Sequence, residues 1–383
     1  MVSKTLASSE VGHLINQWYG YIRSFSIPDS EYLKKEIENK LDQMEEDQDL
    51  LLYYSLMEFR HRLMLESLEP LEKLRIDQQP NLSDLLSEIE NNQSRIKGML
   101  DYYFNFFKGQ FEFSRKNYIQ AIQYYKRAEL KLDLIPEKEK IEKAEFHYKV
   151  AAAYYRIKQN MFSLHHAEIA LNMFEANKLY STSTISCEMM LGANKLDLLR
   201  FDEAEAHYTN AMKFAELTKD NYSRGLACHN IGLSYALQNK SDLAEEYFRK
   251  VLEIPEYYET ERGLRTDFEL TFVLYKNGKI EEAQKLLVKG IKKAEKEGEA
   301  EYLAKFNIVH ALYGGLEAQK RDDLIQRAFK YLEEKQLWTD IEELSQDIAE
   351  HFRIIKDYAN TVLYLDKVIY AKNKILSVSE ELM

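Results

Sequence analysis

The stretch Ile231-Gly232-Leu233-Ser234-Tyr235, followed by Ala244, Phe248 and Val251, decides the fold of this chain. It places two small residues twelve positions apart and an aromatic ring four positions after the second. Two antiparallel helices approach closely only where their side chains are small, and side chains three or four apart share one helix face. The stretch therefore predicts a helical hairpin with a tight seam.

The same pattern recurs along the chain at intervals of 42, 41, 40, 39, 41 and 37 residues. Its second-helix triads are Ala121, Tyr125, Ala128; Ser163, Ala167, Ala170; Ala204, Tyr208, Ala211; Ala244, Phe248, Val251; Ala283, Leu287, Gly290; Leu324, Ala328, Tyr331; and Thr361, Leu365, Val368. The positions twelve residues earlier are Gly109, Ala151, Gly192, Gly232, Thr271, Leu312 and Ala349. All are small except Leu312, which weakens the sixth repeat, and together they predict about seven hairpins.

The pattern resembles the tetratricopeptide repeat, although its period exceeds the usual ~34 residues, so the helices or their loops are longer. The residue four positions after the second small residue is expected to fill the gap towards the next hairpin. Such arrays form a superhelix that binds other chains along its length. The expected fold class is all-α, with a tetratricopeptide-repeat superhelix of about seven hairpins behind an N-terminal three-helix bundle.

Three amphipathic segments predict that N-terminal bundle, and a short helix follows a polar stretch. The predicted helices are Val11–Phe25, Pro28–Met44, Gln48–Leu68 and Ser83–Asn91. Proline at a helix start with acidic residues in the first turn is a reliable start signal. The predicted domains are residues 1–69 for the bundle, 70–93 for a linker with a short helix, and 94–383 for the repeats.

The composition excludes several classes of function. A net charge of −12 disfavours a nucleic-acid ligand. Residues 1–70 hold 13 acidic against 7 basic side chains, which argues against a helix-turn-helix DNA reader. Two separated cysteines and scattered histidines predict neither a disulfide framework nor a metal site. No run of 18 apolar residues occurs, so we expect no membrane span and a cytoplasmic protein.

The acidic run Glu45-Glu46-Asp47-Gln48-Asp49 lies at the junction of the second and third helices. It is either solvated charge that the helix macrodipole favours or a site at which Gln48 positions a water molecule. An exposed glutamine amide can both donate to and accept from water. Attack of water on phosphorus needs mainly such positioning when the phosphoryl acceptor carries its own metal. The sequence has no glycine-rich phosphate loop and no nucleophile elbow.

Three polar residues on predicted first helices are candidates for peptide binding, since first helices line the concave face. Asn230 lies two residues before Gly232, and Asp197 lies five after Gly192. An asparagine amide can pair with a peptide backbone, and an aspartate can accept from a peptide N–H or a basic side chain. Asn194 is the weaker member of this group. They could equally be ordinary polar groove residues.

Five stretches carry a resemblance to the Rap proteins, the response regulator aspartate phosphatases of bacilli. They are Ile15-Asn16-Gln17-Trp18-Tyr19, Met44-Glu45-Glu46-Asp47-Gln48-Asp49-Leu50, Tyr53-Tyr54-Ser55-Leu56-Met57-Glu58-Phe59-Arg60-His61, Tyr102-Tyr103-Phe104-Asn105-Phe106-Phe107 and Ile141-Glu142-Lys143-Ala144-Glu145-Phe146. The resemblance covers essentially the whole chain, and the N-terminal third is its most specific part.

The resemblance implies a quorum-sensing regulator whose bundle binds a response regulator. In some members a glutamine at the place of Gln48 orients the water that hydrolyses the regulator's aspartyl phosphate, and Glu46 and Asp47 are expected to shape that contact. Other members hold the DNA-binding domain of a transcription factor without chemistry. No cofactor of its own is expected, because the partner's receiver domain would carry the divalent metal. A short Phr-type peptide in the repeat groove, contacted at Asp197 and Asn230, would switch the protein off.

Overall fold

The computed structural model describes residues 6–67, 81–176 and 180–380, and the regular structure in these ranges is helical. The N-terminal helices are α1 Ser8–Arg23, α2 Ile27–Leu41, α3 Gln48–Ser67 and α4 Leu82–Asn91. They lie where the sequence predicts helices. The predicted linker before α4 falls largely on residues 68–80, outside the described residues.

The second helix ends at Leu41 and not at the predicted Met44. Leu6 pairs with this part of the chain, because its N–H donates to the carbonyl oxygen of Gln43 at 2.9 Å and its own oxygen accepts from Glu45 at 3.0 Å. The connection to α3 is therefore extended, and Leu6 forms an isolated parallel bridge with Met44.

Seven consecutive pairs of long helices follow, as the ladder of small residues predicts. Their helices are α5 Met99–Ser114, α6 Tyr118–Glu129, α7 Lys140–Arg156, α8 Asn160–Glu175, α9 Ser181–Asp197, α10 Phe201–Thr218, α11 Asn221–Leu237, α12 Ser241–Leu252, α14 Glu261–Lys276, α15 Ile280–Glu297, α16 Ala300–Tyr313, α17 Ala318–Glu334, α18 Trp338–Ile354 and α19 Tyr358–Glu380. One extra turn, α13 Pro255–Tyr258, precedes α14. The all-α tetratricopeptide-repeat fold with an N-terminal helical region is thus confirmed.

In three of the described hairpins, the seam is closed by a ring that lies on a glycine. A Cβ atom on Gly192 would lie 2.5 Å from the ring of Tyr208, and one on Gly232 would lie 2.7 Å from the ring of Phe248. Each ring belongs to the second helix of the same hairpin. These rings therefore fill the seam of their own hairpin, whereas the sequence assigned this position to the gap between hairpins.

The chain forms two compact units, residues 1–159 and 160–383. In the first unit, one hydrophobic core includes Trp18 of α1, Phe59 of α3 and Phe106 of α5. The rings of Phe59 and Phe111 lie 5.7 Å apart, centroid to centroid. The helices α1–α3 therefore pack on the first hairpin, and the predicted domain boundary at residue 69 stays a prediction.

Among the described residues, no helix is both long and apolar enough to cross a membrane.

Candidate functional site

The start of α3 is fixed by Asp47, which caps the helix. The backbone N–H of Leu50 donates to Asp47 Oδ1 at 3.0 Å, and the N–H of Leu51 donates to the Asp47 carbonyl oxygen at 3.0 Å. Such an aspartate satisfies an N–H group that has no partner within the helix, and its charge is favourable at the positive end of the helix dipole. Asp47 therefore determines where α3 begins and so where Gln48 stands.

Gln48 is the first residue of α3, and its side chain is exposed. Its Nε2 atom donates to Glu46 Oε1 at 3.0 Å, which restricts the rotation of the amide. The preceding Glu45 accepts from the backbone N–H of Ser8 at 3.0 Å, so the connection is also tied to α1. An exposed amide held in this way can hydrogen-bond a water molecule and an incoming partner at once.

A buried carboxylate holds α1 on the first repeats. Glu142 lies in the first turn of α7 and is fully buried. The hydroxyls of Tyr19 and Tyr102 donate to its Oε1 atom at 2.9 and 2.8 Å, and Arg23 donates to its Oε2 atom at 3.0 Å. Burial raises the pKa of Glu142, while the Arg23 guanidinium acts in the opposite direction. We call these four residues the Glu142 cluster.

The sequence does not reveal the Glu142 cluster. Its members come from three helices, and 123 positions separate Tyr19 from Glu142. No short spacing marks such a contact, although two of the stretches that carry the family resemblance contain Tyr19 and Glu142. A second ion pair supports the same packing, because the buried Arg60 of α3 lies 3.1 Å from Glu145 of α7.

The candidate peptide-binding residues lie in the second unit, on the first helices that the sequence predicts. Asp197 is the last residue of α9 and is exposed, and Asn230 lies in α11 and is half-buried. The helices α9 and α11 contact each other directly. These two side chains thus belong to neighbouring first helices, where one extended peptide could contact both.

Asn194 is completely buried in a seam between helices. Its Nδ2 atom donates to Ser163 Oγ of α8 at 2.9 Å and to the carbonyl oxygen of Met190 at 2.8 Å. The Oδ1 atom has no hydrogen-bond partner in the described part of the chain. The amide therefore ties α9 to α8 in this structure, and its role in peptide binding stays a prediction.

No pattern in the sequence marks the further charged groups on the first helices α14, α16 and α18. Lys305 of α16 lies 2.7 Å from Asp340 of α18, and Lys276 of α14 lies 3.5 Å from Asp347. The side chain of Glu343 keeps contact with solvent. Even so, desolvation by the surrounding protein and the charges of Glu269 and Asp340 raise its pKa to about 7. A cationic group placed beside Glu343 would favour its ionised form.

Comparisons with known proteins agree with this arrangement. Residues 5–66 match the model of the N-terminal region of response regulator aspartate phosphatase H, and residues 184–256 match the tetratricopeptide repeat. The chain is 42% identical to regulatory protein RapF of Bacillus subtilis over 364 residues, which cover 95% of this chain and 94% of that one. It is 36% identical to response regulator aspartate phosphatase A of Bacillus subtilis, covering 98% and 97% of the two chains.

A solved structure agrees over the same length. A Rap protein complexed with competence and sporulation factor is 37% identical and covers 96% of this chain and 99% of its own, with a TM-score of 0.77. The repeat fold and the acidic start of α3 are those of a helical-repeat protein of the response regulator aspartate phosphatase class. The chain belongs to the Rap family.

Proposed function

We propose that this chain is a quorum-sensing regulator that binds a response regulator through α1–α3 and dephosphorylates its aspartyl phosphate. The observation that carries the proposal is the exposed Gln48 amide, which Asp47 and Glu46 hold at the start of α3. The relatives' name supplies the substrate class, since several are response regulator aspartate phosphatases. A short peptide bound by the repeats of the second unit would switch this activity off.

The chemistry needs few groups from this chain. Gln48 hydrogen-bonds a water molecule in line with the phosphorus–oxygen bond of the aspartyl phosphate. The water oxygen attacks phosphorus, the bond to the aspartate oxygen breaks, and inorganic phosphate and a free carboxylate result. Glu46 restricts the amide so that little rotational freedom is lost when the partner binds. The regulator's own site would hold the divalent metal that offsets the charge on the phosphoryl oxygens.

The test is hydrolysis of a phosphorylated receiver domain by the parent and by Gln48→Ala. Loss of a residue that positions the attacking water should slow hydrolysis by roughly 100-fold or more. Gln43→Ala is the matched control, because Gln43 is another exposed glutamine in the same connection, and its amide donates to the Asn39 carbonyl oxygen at 3.0 Å. Equal rates for Gln48→Ala and the parent would refute the assigned role.

Sequestration of a transcription factor is the second candidate function. Residues 1–70 carry 13 acidic and 7 basic side chains, and such a surface suits a basic DNA-binding domain. RapF, a relative at 42% identity, is named a regulatory protein. A gel-shift assay separates the two candidates, because Gln48→Ala should still displace the factor from DNA if binding alone is the function. Unchanged promoter binding in the presence of the parent protein would exclude sequestration.

The peptide switch is tested at Asn230. Asn230→Ala should weaken the binding of a Phr-type pentapeptide by roughly 1–3 kcal/mol, or about 5- to 150-fold, the cost of leaving a buried polar group unpaired. Asn210→Ala is the control, because Asn210 lies on the second helix α10 and donates to Glu188 at 3.3 Å. Calorimetry that shows equal affinities for Asn230→Ala and the parent would contradict this assignment.

A further inference from the structure

Residues 6–8, at the start of the described chain, run beside the connection between α2 and α3. The N–H of Leu6 donates to the Gln43 carbonyl oxygen at 2.9 Å, and the Leu6 carbonyl oxygen accepts from the N–H of Glu45 at 3.0 Å. The N–H of Ser8 donates to Glu45 Oε1 at 3.0 Å. We call residues 6–8 the N-terminal strap. All three hydrogen bonds reach the connection, so the strap fixes its backbone before α3 begins.

Two carboxylates of the connection cap two different helices. Glu45 accepts from Ser8, the first residue of α1, and Asp47 accepts from the N–H of Leu50 in α3. Each accepts from an N–H group that has no partner within its own helix, and each charge lies at the positive end of a helix dipole. Glu46 lies between these two anchored residues, so its backbone is held from both sides.

The restraint on Glu46 matters because Glu46 holds Gln48. The Gln48 Nε2 atom donates to Glu46 Oε1 at 3.0 Å, and both side chains are exposed. An exposed hydrogen bond competes with water, and ordering two long side chains costs conformational entropy. Such a contact is favoured when the backbone already places both side chains correctly. The cap at Asp47 presets Gln48, and the strap presets Glu46.

The strap belongs to a helix whose position is itself fixed. It leads directly into α1, which begins at Ser8. Near the other end of α1, Tyr19 and Arg23 bind the buried Glu142 of α7. All of these residues lie in the first compact unit. The strap therefore relates the start of α3 to a helix that is held on the repeats.

We propose that the N-terminal strap positions the Gln48 amide, with Leu6 and Glu45 as positioning residues. This role rests on the proposed function, in which Gln48 orients the attacking water. Neither Leu6 nor Glu45 would touch the water or the phosphorus. Without the strap, the amide should lose its fixed orientation while the surface of α1–α3 remains. The rate constant kcat should therefore fall, and KM should stay nearly the same.

Hydrogen exchange of the full chain tests the strap directly. Leu6→Pro removes the N–H that donates to Gln43, because proline has none. Residues 44–51 should then exchange at least about fivefold faster than in the parent, since a local opening that breaks one hydrogen bond fewer occurs more often. Exchange in α11 should not change, which shows that the variant is folded. Equal protection of residues 44–51 in Leu6→Pro and in the parent would overturn the proposal.

Ala7→Pro is the matched control. The φ angle of Ala7 is −69°, close to the value that proline requires. Among the described residues, no backbone carbonyl oxygen accepts a hydrogen bond from the N–H of Ala7. This variant places the same ring one position further along and should keep the three hydrogen bonds of the strap. Its exchange should therefore match that of the parent.

Glu45 provides a second test that includes a rescue. Glu45→Ala removes the acceptor of the Ser8 N–H, whereas Glu45→Gln keeps an oxygen acceptor at the same place. Glu45→Ala should also speed the exchange of residues 44–51. With a phosphorylated receiver as substrate, its kcat should fall by roughly 10- to 100-fold while its KM stays within about twofold of the parent's. Glu45→Gln should recover most of the lost rate.

The outcomes separate the role of the strap from the proposed function. Faster exchange together with an unchanged kcat, or a loss of activity that lies entirely in KM, would overturn the positioning role. A parent that hydrolyses no receiver phosphate would refute the proposed function instead. The exchange of residues 44–51 would still decide whether the strap holds the connection.

Discussion

The Glu142 cluster of residues 1–159 and the glycine seams of residues 160–383 hold helices together by different kinds of contact. In the first unit, α1 meets α5 and α7 through the buried carboxylate of Glu142, two tyrosine hydroxyls and a guanidinium. In the second unit, two hairpins close where a ring lies on a glycine, at Gly192 and Gly232, and Gly109 with Tyr125 forms the same kind of seam in the first unit. The first kind of contact depends on charge and exact partners, and the second depends on size. Mutations should therefore act differently at the two kinds of contact.

The largest effect on stability is expected at the Glu142 cluster. Glu142→Ala removes the acceptor that Tyr19, Tyr102 and Arg23 share in the core. Breaking a buried ion pair costs roughly 3–5 kcal/mol. Because Arg23 keeps some contact with water, we expect a loss of stability of about 3 kcal/mol. Chemical denaturation measures the loss. Hydrogen exchange should show faster opening of α1 and α7, and unchanged exchange there would contradict the role of the cluster.

A smaller loss is expected where a ring lies on a glycine. Gly192→Ala places a methyl group within 2.5 Å of the Tyr208 ring, and the forced shift should cost about 1–3 kcal/mol. Gly20→Ala in α1 is the matched control, because no atom lies within 4 Å of its added Cβ atom. That control should stabilise the protein by about 0.5–1 kcal/mol, because alanine is the better helix former. If both substitutions stabilise the protein, the seam at Gly192 accommodates a side chain, and the seam does not depend on a residue as small as glycine.

Most of the repeat fold could be predicted from the sequence, because a close approach of two helices requires small residues whatever surrounds them. The exception is α13, whose single turn fits between two glycines. A Cβ atom on Gly225 would lie 2.5 Å from Tyr257 Cβ, and one on Gly263 would lie 1.8 Å from the Tyr258 carbonyl oxygen. These two glycines were a signal for the extra turn, but they lie outside the twelve-residue pattern.

The candidate sites could be predicted only in part. Gln48 and its partners lie within a few residues of one another, so a helix start could be predicted there, whereas the role of Gln48 came from the family resemblance and stays a prediction. The position of Asn194 on a first helix was also predictable, but its burial against Ser163 depends on how neighbouring helices pack. The Glu142 cluster depends entirely on such packing. Spacing along the chain therefore predicted the elements and the local candidate residues, while contacts between distant elements required the structure.

The helix cap at Asp47 should have a smaller effect on stability than either core contact. Asp47→Ala leaves the Leu50 N–H without its acceptor, which costs about 1 kcal/mol for a typical cap. Because the cap also places Gln48, hydrolysis of a phosphorylated receiver should slow by more than this loss of stability explains. Asp47→Asn should keep most of the stability and most of the hydrolysis rate, since asparagine caps helices about as well as aspartate. Failure of Asp47→Asn to recover stability would show that the carboxylate charge, and not the cap, is what matters.

The smallest effect is expected at Glu343 in the second unit, where the stability of the folded protein should depend on pH. The pKa of Glu343 is about 7 in the folded protein against 4.5 for an unperturbed glutamate. Between these values the folded state keeps a proton that the unfolded chain has released, so stability falls as the pH rises from about 5 to about 8. Glu343→Gln should make this fall shallower. The comparison with the parent is needed because burial also raises the pKa of Glu269 and Asp347 nearby.

The same ionisation connects Glu343 to peptide binding. Lys305 and Arg265 lower its pKa, whereas Glu269 and Asp340 raise it. A cationic side chain of a bound peptide would lower the pKa of Glu343 further. Peptide binding should therefore release protons from Glu343, and the peptide should bind more tightly at pH 8 than at pH 6. Calorimetry in buffers of different ionisation enthalpy measures the released protons, and Glu343→Gln should release fewer. Equal proton release by the two proteins would show that the peptide does not reach α18, which would confine its site to the earlier first helices.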